Sequence, residues 1–232
     1  MGKTTLLKQL LQELRGCSVD GFVTEELQED GQPLGVWLSC VDGRQALLAH
    51  RDLDSPHRVG AYHVNVELLD ELAVTIIRRA MEHARLLFLD ELGKVELCSL
   101  VFQEAVEQAF RHGPRIVATG DVASLPFLDG VKHRKDVELI PLSKHNWSAV
   151  QEELMTRLRM LCETSEPVHA LQGQMDRISA MIASGAASCV DIEIQQTTLR
   201  ERLQQEFPDQ PTLYYLWCEQ RFRRLWQQFR HG

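Results

Sequence analysis

Long apolar runs are absent from this 232-residue chain. No stretch approaches the roughly 18 uninterrupted apolar residues of a membrane-spanning helix. The chain opens with MGKTTLLKQL, which lacks the apolar segment and small-residue cleavage site of a secretory signal. These absences argue against membrane insertion and secretion. They predict a cytoplasmic protein that has no membrane partner.

Positive charge and metal-binding spacings are scarce as well. The 25 Lys and Arg residues are outnumbered by 33 Asp and Glu residues, which gives a formal net charge of −8. Since nucleic-acid binding relies on basic surfaces, we expect no nucleic-acid partner. The six cysteines are scattered without a C-x-x-C pair, so the usual spacing of a zinc site is absent.

Lysine disappears from the C-terminal part of the chain. All lysines precede Cys162, whereas residues 165–232 contain none and are rich in Gln. This change in composition predicts two domains, residues 1–164 and a helical extension at 165–232. Prolines at 167, 208 and 211 divide the extension into three expected helices.

One expected helix of the extension carries an apolar stripe. The stripe residues follow helical spacing and are Tyr215, Cys218, Phe222, Leu225, Trp226 and Phe229. One interpretation is a helix that buries this face inside a bundle. The alternative is an exposed surface that supports self-association or binds a protein partner through the C-terminal helices.

The first part alternates between strand and helix patterns. Strand patterns occur at residues 21–24, 35–41, 45–50, 86–89, 115–119 and 136–140, and helical spacing at 6–14, 66–80 and 100–111. Leu86–Leu89 is an unbroken apolar run, as in a strand buried on both faces. The alternation predicts an α/β fold with a mostly parallel sheet and flanking helices.

The first segment with chemical meaning is Gly2-Lys3-Thr4-Thr5, directly before a helix. It matches the second half of the phosphate-binding loop G-x-x-x-x-G-K-[ST]. In such loops the helix N-terminus faces an anion, the lysine reaches phosphate and the next hydroxyl ligates Mg²⁺. On this interpretation Gly2, Lys3, Thr4 and Thr5 bind nucleotide, whereas the alternative is an ordinary helix start capped by a threonine.

The second segment is Asp90-Glu91, which follows the apolar strand pattern Leu86–Leu89. Ligands of open α/β sheets bind at the carboxyl ends of strands, where these two side chains are expected. We predict that Asp90 binds Mg²⁺ together with Thr4. We predict that Glu91 is the catalytic base that activates a water for attack on a γ-phosphate, with Lys3 as the catalytic cation. The alternative is that both acids cap the next turn.

Several segments together carry a family resemblance. They are residues 2–6, 21–26, 42–49, 59–64 and, most specifically, Leu89-Asp90-Glu91-Leu92-Gly93-Lys94-Val95-Glu96-Leu97. In this order they resemble the thermophilic-type P-loop nucleoside-triphosphatase family over residues 1–150. The resemblance implies a RecA-like P-loop fold and Mg²⁺-dependent hydrolysis of several nucleoside triphosphates, which makes NTP the expected substrate. Lys94 and Glu96 are expected to fix the loop after Glu91 by hydrogen bonding.

The chain also departs from that family pattern. Family members begin with a strand and a complete phosphate loop, so we expect an N-terminal strand to be missing and place it beside Leu86–Leu89. Asn146-Trp147-Ser148 replaces Asn-Arg-Asp, and Pro33 stands where a turn arginine is usual. Two alternatives to hydrolysis remain, a nucleotide or nucleoside kinase and a degenerate, non-catalytic P-loop scaffold.

Overall fold

The computed structural model describes residues 2–14, 16–163 and 166–230. They divide into two compact units, Gly2–Asp129 and Gly130–Gly232. The predicted boundary at 164/165 lies outside the described residues. The observed division falls earlier because the helix Trp147–Cys162 packs with a helical turn near the C-terminus.

The first unit contains a seven-stranded sheet among its described residues, in the order β4-β5-β3-β2-β1-β6-β7. The strands are β1 (Val19–Glu29), β2 (Gln32–Cys40), β3 (Gln45–His50), β4 (Arg58–Val59), β5 (Tyr62–Val64), β6 (Leu86–Leu92) and β7 (Arg115–Gly120). All six predicted strands except 136–140 correspond to one of these.

The sheet is mixed rather than mostly parallel, so that part of the prediction is wrong. Only the pairings of β6 with β1 and with β7 are parallel, and the other four pairings among the described strands are antiparallel. Two tight turns explain the difference. Asp30 and Gly31 both have positive φ between β1 and β2, as a two-residue hairpin turn requires, and Asp42-Gly43 turns β2 into β3. Such short connections can join only antiparallel strands.

Strand β6 is hydrogen-bonded on both edges. Leu89 is opposite Phe22 of β1 on one side and Ala118 of β7 on the other. The expectation that an additional strand pairs beside Leu86–Leu89 is therefore wrong, because both edges are occupied. Gly21 permits the approach of β1, since a Cβ there would lie 2.0 Å from the Phe88 carbonyl oxygen.

Helices cover both faces of the sheet. They are α1 (Lys3–Glu13), α2 (Val66–Leu68), α3 (Val74–His83), α4 (Leu100–His112) and α5 (Pro126–Lys132), with a π-helical turn at Leu69–Ala73 and a 3₁₀ turn at Glu96–Cys98. On one face Leu87 and Leu89 pack in a core with Ile76 and Phe102. Leu86 and Phe88 alternate to the other face, and the helix α1 contacts β1 and β6. The prediction of an α/β sheet with flanking helices is confirmed.

The second unit is helical. Its helices are α6 (Trp147–Cys162), α7 (Glu166–Ser184), α8 (Cys189–Glu206) and α9 (Gln220–Arg230), and a π-helical turn at Tyr215–Glu219 precedes α9. None of the helices in the described part of the chain is long and apolar enough to cross a membrane. The strand predicted at residues 136–140 is not formed, since residues 137–143 have no regular secondary structure. Instead, the Glu138 side chain enters a cluster of arginines.

That cluster joins three segments of the second unit. The Glu138 carboxylate lies 2.7 Å from Arg157 of α6 and 2.6 Å from Arg224 of α9. Glu153 lies 3.0 Å from Arg157 and also pairs with Arg224. The four side chains are between 5 and 15% exposed, so the network is largely removed from water.

The apolar stripe before the C-terminus is the inner face of the bundle. Cys218, Phe222 and Leu225 are buried together with the neighbouring Trp217, whereas Tyr215 is 47% exposed. Trp226 and Phe229 pack against the same core. The bundle interpretation is confirmed, and the stripe does not form an exposed surface for self-association.

Candidate functional site

The first component of the site is the start of α1. Gly2 caps the helix with φ 96°, a left-handed conformation that glycine adopts without steric cost, and its carbonyl accepts from the Leu6 N–H at 3.0 Å. Lys3 and Thr4 are half-buried and Thr5 is exposed. The first-turn N–H groups of this eleven-residue helix favour an anion.

The second component is the carboxyl end of β6. Asp90 is fully buried there, and the next residue, Glu91, is half-buried. The parallel neighbour β7 ends at Thr119 and Gly120. Because parallel strands place their carboxyl ends at one edge of a sheet, these four residues meet.

Lys3 connects the two components. Its Nζ lies 2.8 Å from Glu91 Oε2 and donates a hydrogen bond of 2.8 Å to the Gly120 carbonyl oxygen. Both charged side chains are about one-third exposed, at 33% and 32%, so solvent and a ligand can reach them. The structure therefore brings together the two residues that the sequence predicted as catalytic.

Asp90 occupies a different environment. Burial raises its pKa, hydrogen bonds from the Thr119 and Thr4 hydroxyls oppose that rise, and the negative charge of Glu91 adds to it. Its Oδ1 accepts from Thr119. Its Oδ2 is buried and has no hydrogen bond of standard geometry with any described residue.

This orphaned oxygen fits a hard cation. Oδ2 of Asp90 and the Thr4 hydroxyl are oxygen donors, as Mg²⁺ prefers, and Thr4 is close enough to lower the pKa of Asp90. Among the described residues no cluster of three His, Cys, Asp or Glu side chains could hold a metal by itself. One carboxylate and one hydroxyl suit Mg²⁺, which usually keeps waters and substrate phosphate oxygens as its other ligands.

The loop after Glu91 is fixed by Glu96. Its side chain is 3% exposed, and Oε2 accepts from the Gly93 N–H at 3.2 Å. Burial raises the pKa of Glu96 to about 8, and the charges of Glu91 and Asp90 contribute. The predicted hydrogen-bonding role is confirmed for Glu96, whereas Lys94 is exposed.

Sequence reasoning missed Thr119 and Gly120. Thr119 holds the buried carboxylate of Asp90, and the Gly120 carbonyl accepts from Lys3. A signal was present, because residues 115–119 were predicted as a strand of the same sheet. Polar residues at its carboxyl end could have been assigned to the site if its position beside β6 had been known.

Relatives of this chain are found by sequence and by structure. A family model described as NTPase matches residues 1–155. The nucleoside-triphosphatase THEP1 of Thermotoga sp. is 40% identical over 159 residues, which cover 68% of this chain and 90% of the relative. The cancer-related nucleoside-triphosphatase of Homo sapiens is 31% identical over 171 residues, covering 67% of this chain and 90% of the human protein.

A solved structure agrees with these matches. The crystal structure of THEP1 from Aquifex aeolicus has a TM-score of 0.61 and 30% identity to this chain, covering 66% of it and 90% of the other. The matched region of the family model includes Lys3, Thr4, Asp90 and Glu91, and it ends within α6. Over residues 1–155, this chain belongs to the NTPase family.

Proposed function

We propose that this chain hydrolyses nucleoside triphosphates to nucleoside diphosphate and phosphate with Mg²⁺. The 2.8 Å pair between Lys3 Nζ and Glu91 Oε2 carries the proposal, because it joins a phosphate-binding cation to a candidate base. The relatives named nucleoside-triphosphatases support the same reaction. Gly2–Thr5 would be the second half of a Walker A loop, and Leu86–Glu91 a Walker B strand.

The start of α1 would bind the triphosphate. The Lys3 ammonium would exchange Glu91 for phosphate oxygens, and the N–H groups of Lys3, Thr4 and Thr5 would face them. Gly2 leaves room for a close approach because it has no side chain. The one-third exposure of the Lys3 side chain supports this exchange, since the ammonium is reachable from solvent.

Thr4 and Asp90 would hold the metal ion. When bound, Mg²⁺ neutralises charge on the β- and γ-phosphate oxygens. The buried Oδ2 of Asp90 supports the assignment, because it otherwise lacks a partner of standard geometry within the described ranges. Thr119 would hold the other oxygen of Asp90 and so fix the orientation of the carboxylate.

Glu91 would be the general base. Once Lys3 has moved to phosphate, the Glu91 carboxylate is released and can accept a proton from the attacking water. The water oxygen forms a bond to the γ-phosphorus, the bond to the bridging oxygen breaks, and the nucleoside diphosphate leaves with that electron pair. Lys3 would stabilise negative charge on the transferred group.

A kinase and a non-catalytic scaffold are the competing functions. A kinase would transfer the phosphoryl group to an acceptor hydroxyl, which needs a second binding site near Glu91. A scaffold would not need Lys3, Asp90 and Glu91 at one edge of the sheet. The assembled site favours catalysis, and the direct access of Glu91 to solvent favours water as the acceptor.

The test is phosphate release from ATP, GTP, CTP and UTP with Mg²⁺, measured with and without nucleosides and nucleoside monophosphates as acceptors. We expect release without any acceptor. Glu91→Gln should lower kcat by roughly 10²–10⁴-fold and preserve nucleotide affinity, because it removes a positioned base. Glu104→Gln on α4 is the matched control, since Glu104 is exposed.

Two results would contradict the proposal. Phosphate release that appears only with an acceptor indicates a kinase. Nucleotide binding without turnover in the unmodified chain, under any of these conditions, indicates a scaffold. Normal turnover of Glu91→Gln would remove Glu91 as the base and leave hydrolysis itself intact.

We also propose where the protein acts and with what. A cytoplasmic location is supported by the substrate, because Mg²⁺-bound nucleoside triphosphates are abundant there. The net charge of −8 supports a small-molecule substrate rather than nucleic acid. Burial of the apolar stripe before the C-terminus gives no support to a protein partner at that face.

A further inference from the structure

The loop that follows Glu91 folds around one buried carboxyl group. Gly93 donates its N–H to Glu96 Oε2 at 3.2 Å, and its carbonyl oxygen accepts from the Leu97 N–H at 2.9 Å. Glu96 is 3% exposed, so water cannot replace this interaction. The carboxyl group therefore determines the backbone path of the residues directly after Glu91.

The same carboxyl group lies beside Glu91. A Cβ added to Gly93 would be 2.9 Å from Glu91 Oε1 and 3.0 Å from Glu96 Oε2, so both oxygens face the same small space beside the Gly93 backbone. The other Glu91 oxygen, Oε2, is the one that pairs with Lys3. Glu91 is thus held between the lysine on one side and the Gly93–Glu96 turn on the other.

We propose that Glu96 is a positioning residue for hydrolysis, and that its buried carboxyl group holds the Gly93 backbone so that Glu91 faces Lys3 and the attacking water. This inference rests on the proposed role of Glu91 as base. Glu96 itself touches neither nucleotide nor water in the reaction. Its effect passes through the backbone of Gly93 and the space that Gly93 leaves for Glu91.

The protonation of Glu96 agrees with this role. Because burial raises its pKa to about 8, Glu96 is neutral at pH 7 and does not compete with Glu91 for the Lys3 ammonium. Glutamine copies the neutral form, since it retains an acceptor for the Gly93 N–H. Alanine removes that acceptor and leaves the N–H unsatisfied in a buried place.

The experiment compares Glu96→Ala, Glu96→Gln and the exposed control Glu104→Ala in the full chain. Phosphate release at pH 7 gives kcat and KM, and a fluorescent nucleotide analogue gives Kd. Glu96→Ala should lower kcat by about 10–100-fold, because a displacement of about 1 Å at the base has effects of this size. KM and Kd should change less than about twofold. Glu96→Gln should recover most of the lost kcat.

A second variant covers the case in which Glu96→Ala does not fold. Gly93→Ala leaves Glu96 intact but places a methyl group against the Glu91 and Glu96 oxygens. It should lower kcat with KM nearly unchanged. A folded Glu96→Ala or Gly93→Ala protein with the kcat of Glu104→Ala would overturn the inference, as would equal losses in Glu96→Ala and Glu96→Gln.

These outcomes are separable from failure of the proposed function. Absence of hydrolysis in the unmodified chain, or normal turnover in Glu91→Gln, contradicts the proposed chemistry or the proposed base. Loss of turnover in Glu91→Gln together with normal turnover in Glu96→Ala contradicts only the positioning role.

Discussion

Both units of this protein bury carboxyl groups, but Asp90 and Glu96 of the sheet unit lack, among the described residues, the arginine partners that Glu138 has in the helical unit. In the sheet unit, Asp90 and Glu96 form no ion pair with any described residue, and burial raises the pKa of each. In the helical unit, burial also acts to raise the pKa of Glu138. There, however, Arg157 and Arg224 more than offset it and hold that pKa below its usual range.

The difference separates a functional site from a structural network. A buried acid without a cationic partner is costly to keep ionised, and such groups concentrate where a ligand supplies the missing charge. A buried acid that contacts two arginines is already compensated, and its main role is to join segments.

The largest expected effect tests whether the positive charge of Lys3, at the edge of the sheet beside Glu91, serves to bind phosphate. Lys3→Ala should lower kcat/KM by at least roughly 10³-fold, because both phosphate affinity and transition-state stabilisation are lost. Lys8→Ala is the control, since Lys8 is on the same helix and pairs with Glu25. Phosphate release and nucleotide titration measure both. Equal activity of the two variants would refute the assignment of Lys3.

The next prediction concerns Asp90, the buried acid that no cationic side chain neutralises among the described residues. Asp90→Asn should lower Mg²⁺-dependent turnover by roughly 10²-fold or more. The melting temperature should not fall, because the substitution removes a buried charge that forms no ion pair with any described residue. Turnover and thermal unfolding are measured at pH 7. A large loss of stability would indicate that Asp90 is structural, as Glu138 is.

The compensated network should respond in the opposite way. Arg224→Ala leaves Glu138 and Glu153 with less positive charge in a buried place, and it should lower the free energy of unfolding by about 3 kcal/mol. The control Arg223→Ala breaks an exposed pair with Glu219 and should cost about 0.3–0.5 kcal/mol. Chemical denaturation compares them. Similar losses would show that the network contributes no more than a surface pair.

Truncation after Cys162 extends this comparison. It removes Arg224 together with the turn that packs on α6, while Glu138, Glu153 and Arg157 remain. Since these buried charges lose their neighbours, we expect the truncated chain to be insoluble or to unfold at a lower temperature. Solubility and circular dichroism measure the outcome. A soluble, fully active truncated chain would show that the helices after α6 are dispensable.

The last prediction concerns the pH dependence of stability. The pKa of Glu96 is raised from 4.5 to about 8, so between these values the folded chain keeps a proton that the unfolded chain releases. The protonation-linked stability is therefore largest at low pH, falls as the pH rises and levels off above about pH 8. Glu96→Gln has no such proton. Its melting temperature relative to the unmodified chain should rise from pH 5 to pH 8 and then stay constant.

The sequence predicted the centre of the fold well and its periphery less well. Leu86–Leu89 could be assigned as a buried strand because a short, unbroken apolar run that ends in two acids is typical of a strand buried on both faces. Residues 136–140 contain three apolar residues and a strand-like pattern but form no strand. Their position was decided by Arg157 and Arg224, which lie far away in the sequence and bind Glu138.

The candidate site shows the same division. Lys3, Asp90 and Glu91 could be named from local patterns, because a phosphate-binding helix start and a strand that ends in acids are short-range features. The sequence therefore determined the chemical groups of this protein and the central elements that carry them. Only the tertiary structure decided that Lys3 meets Glu91 and that Thr119 holds Asp90. It also decided that Glu96 is buried, because distances and burial depend on which strands become neighbours and which face each helix covers.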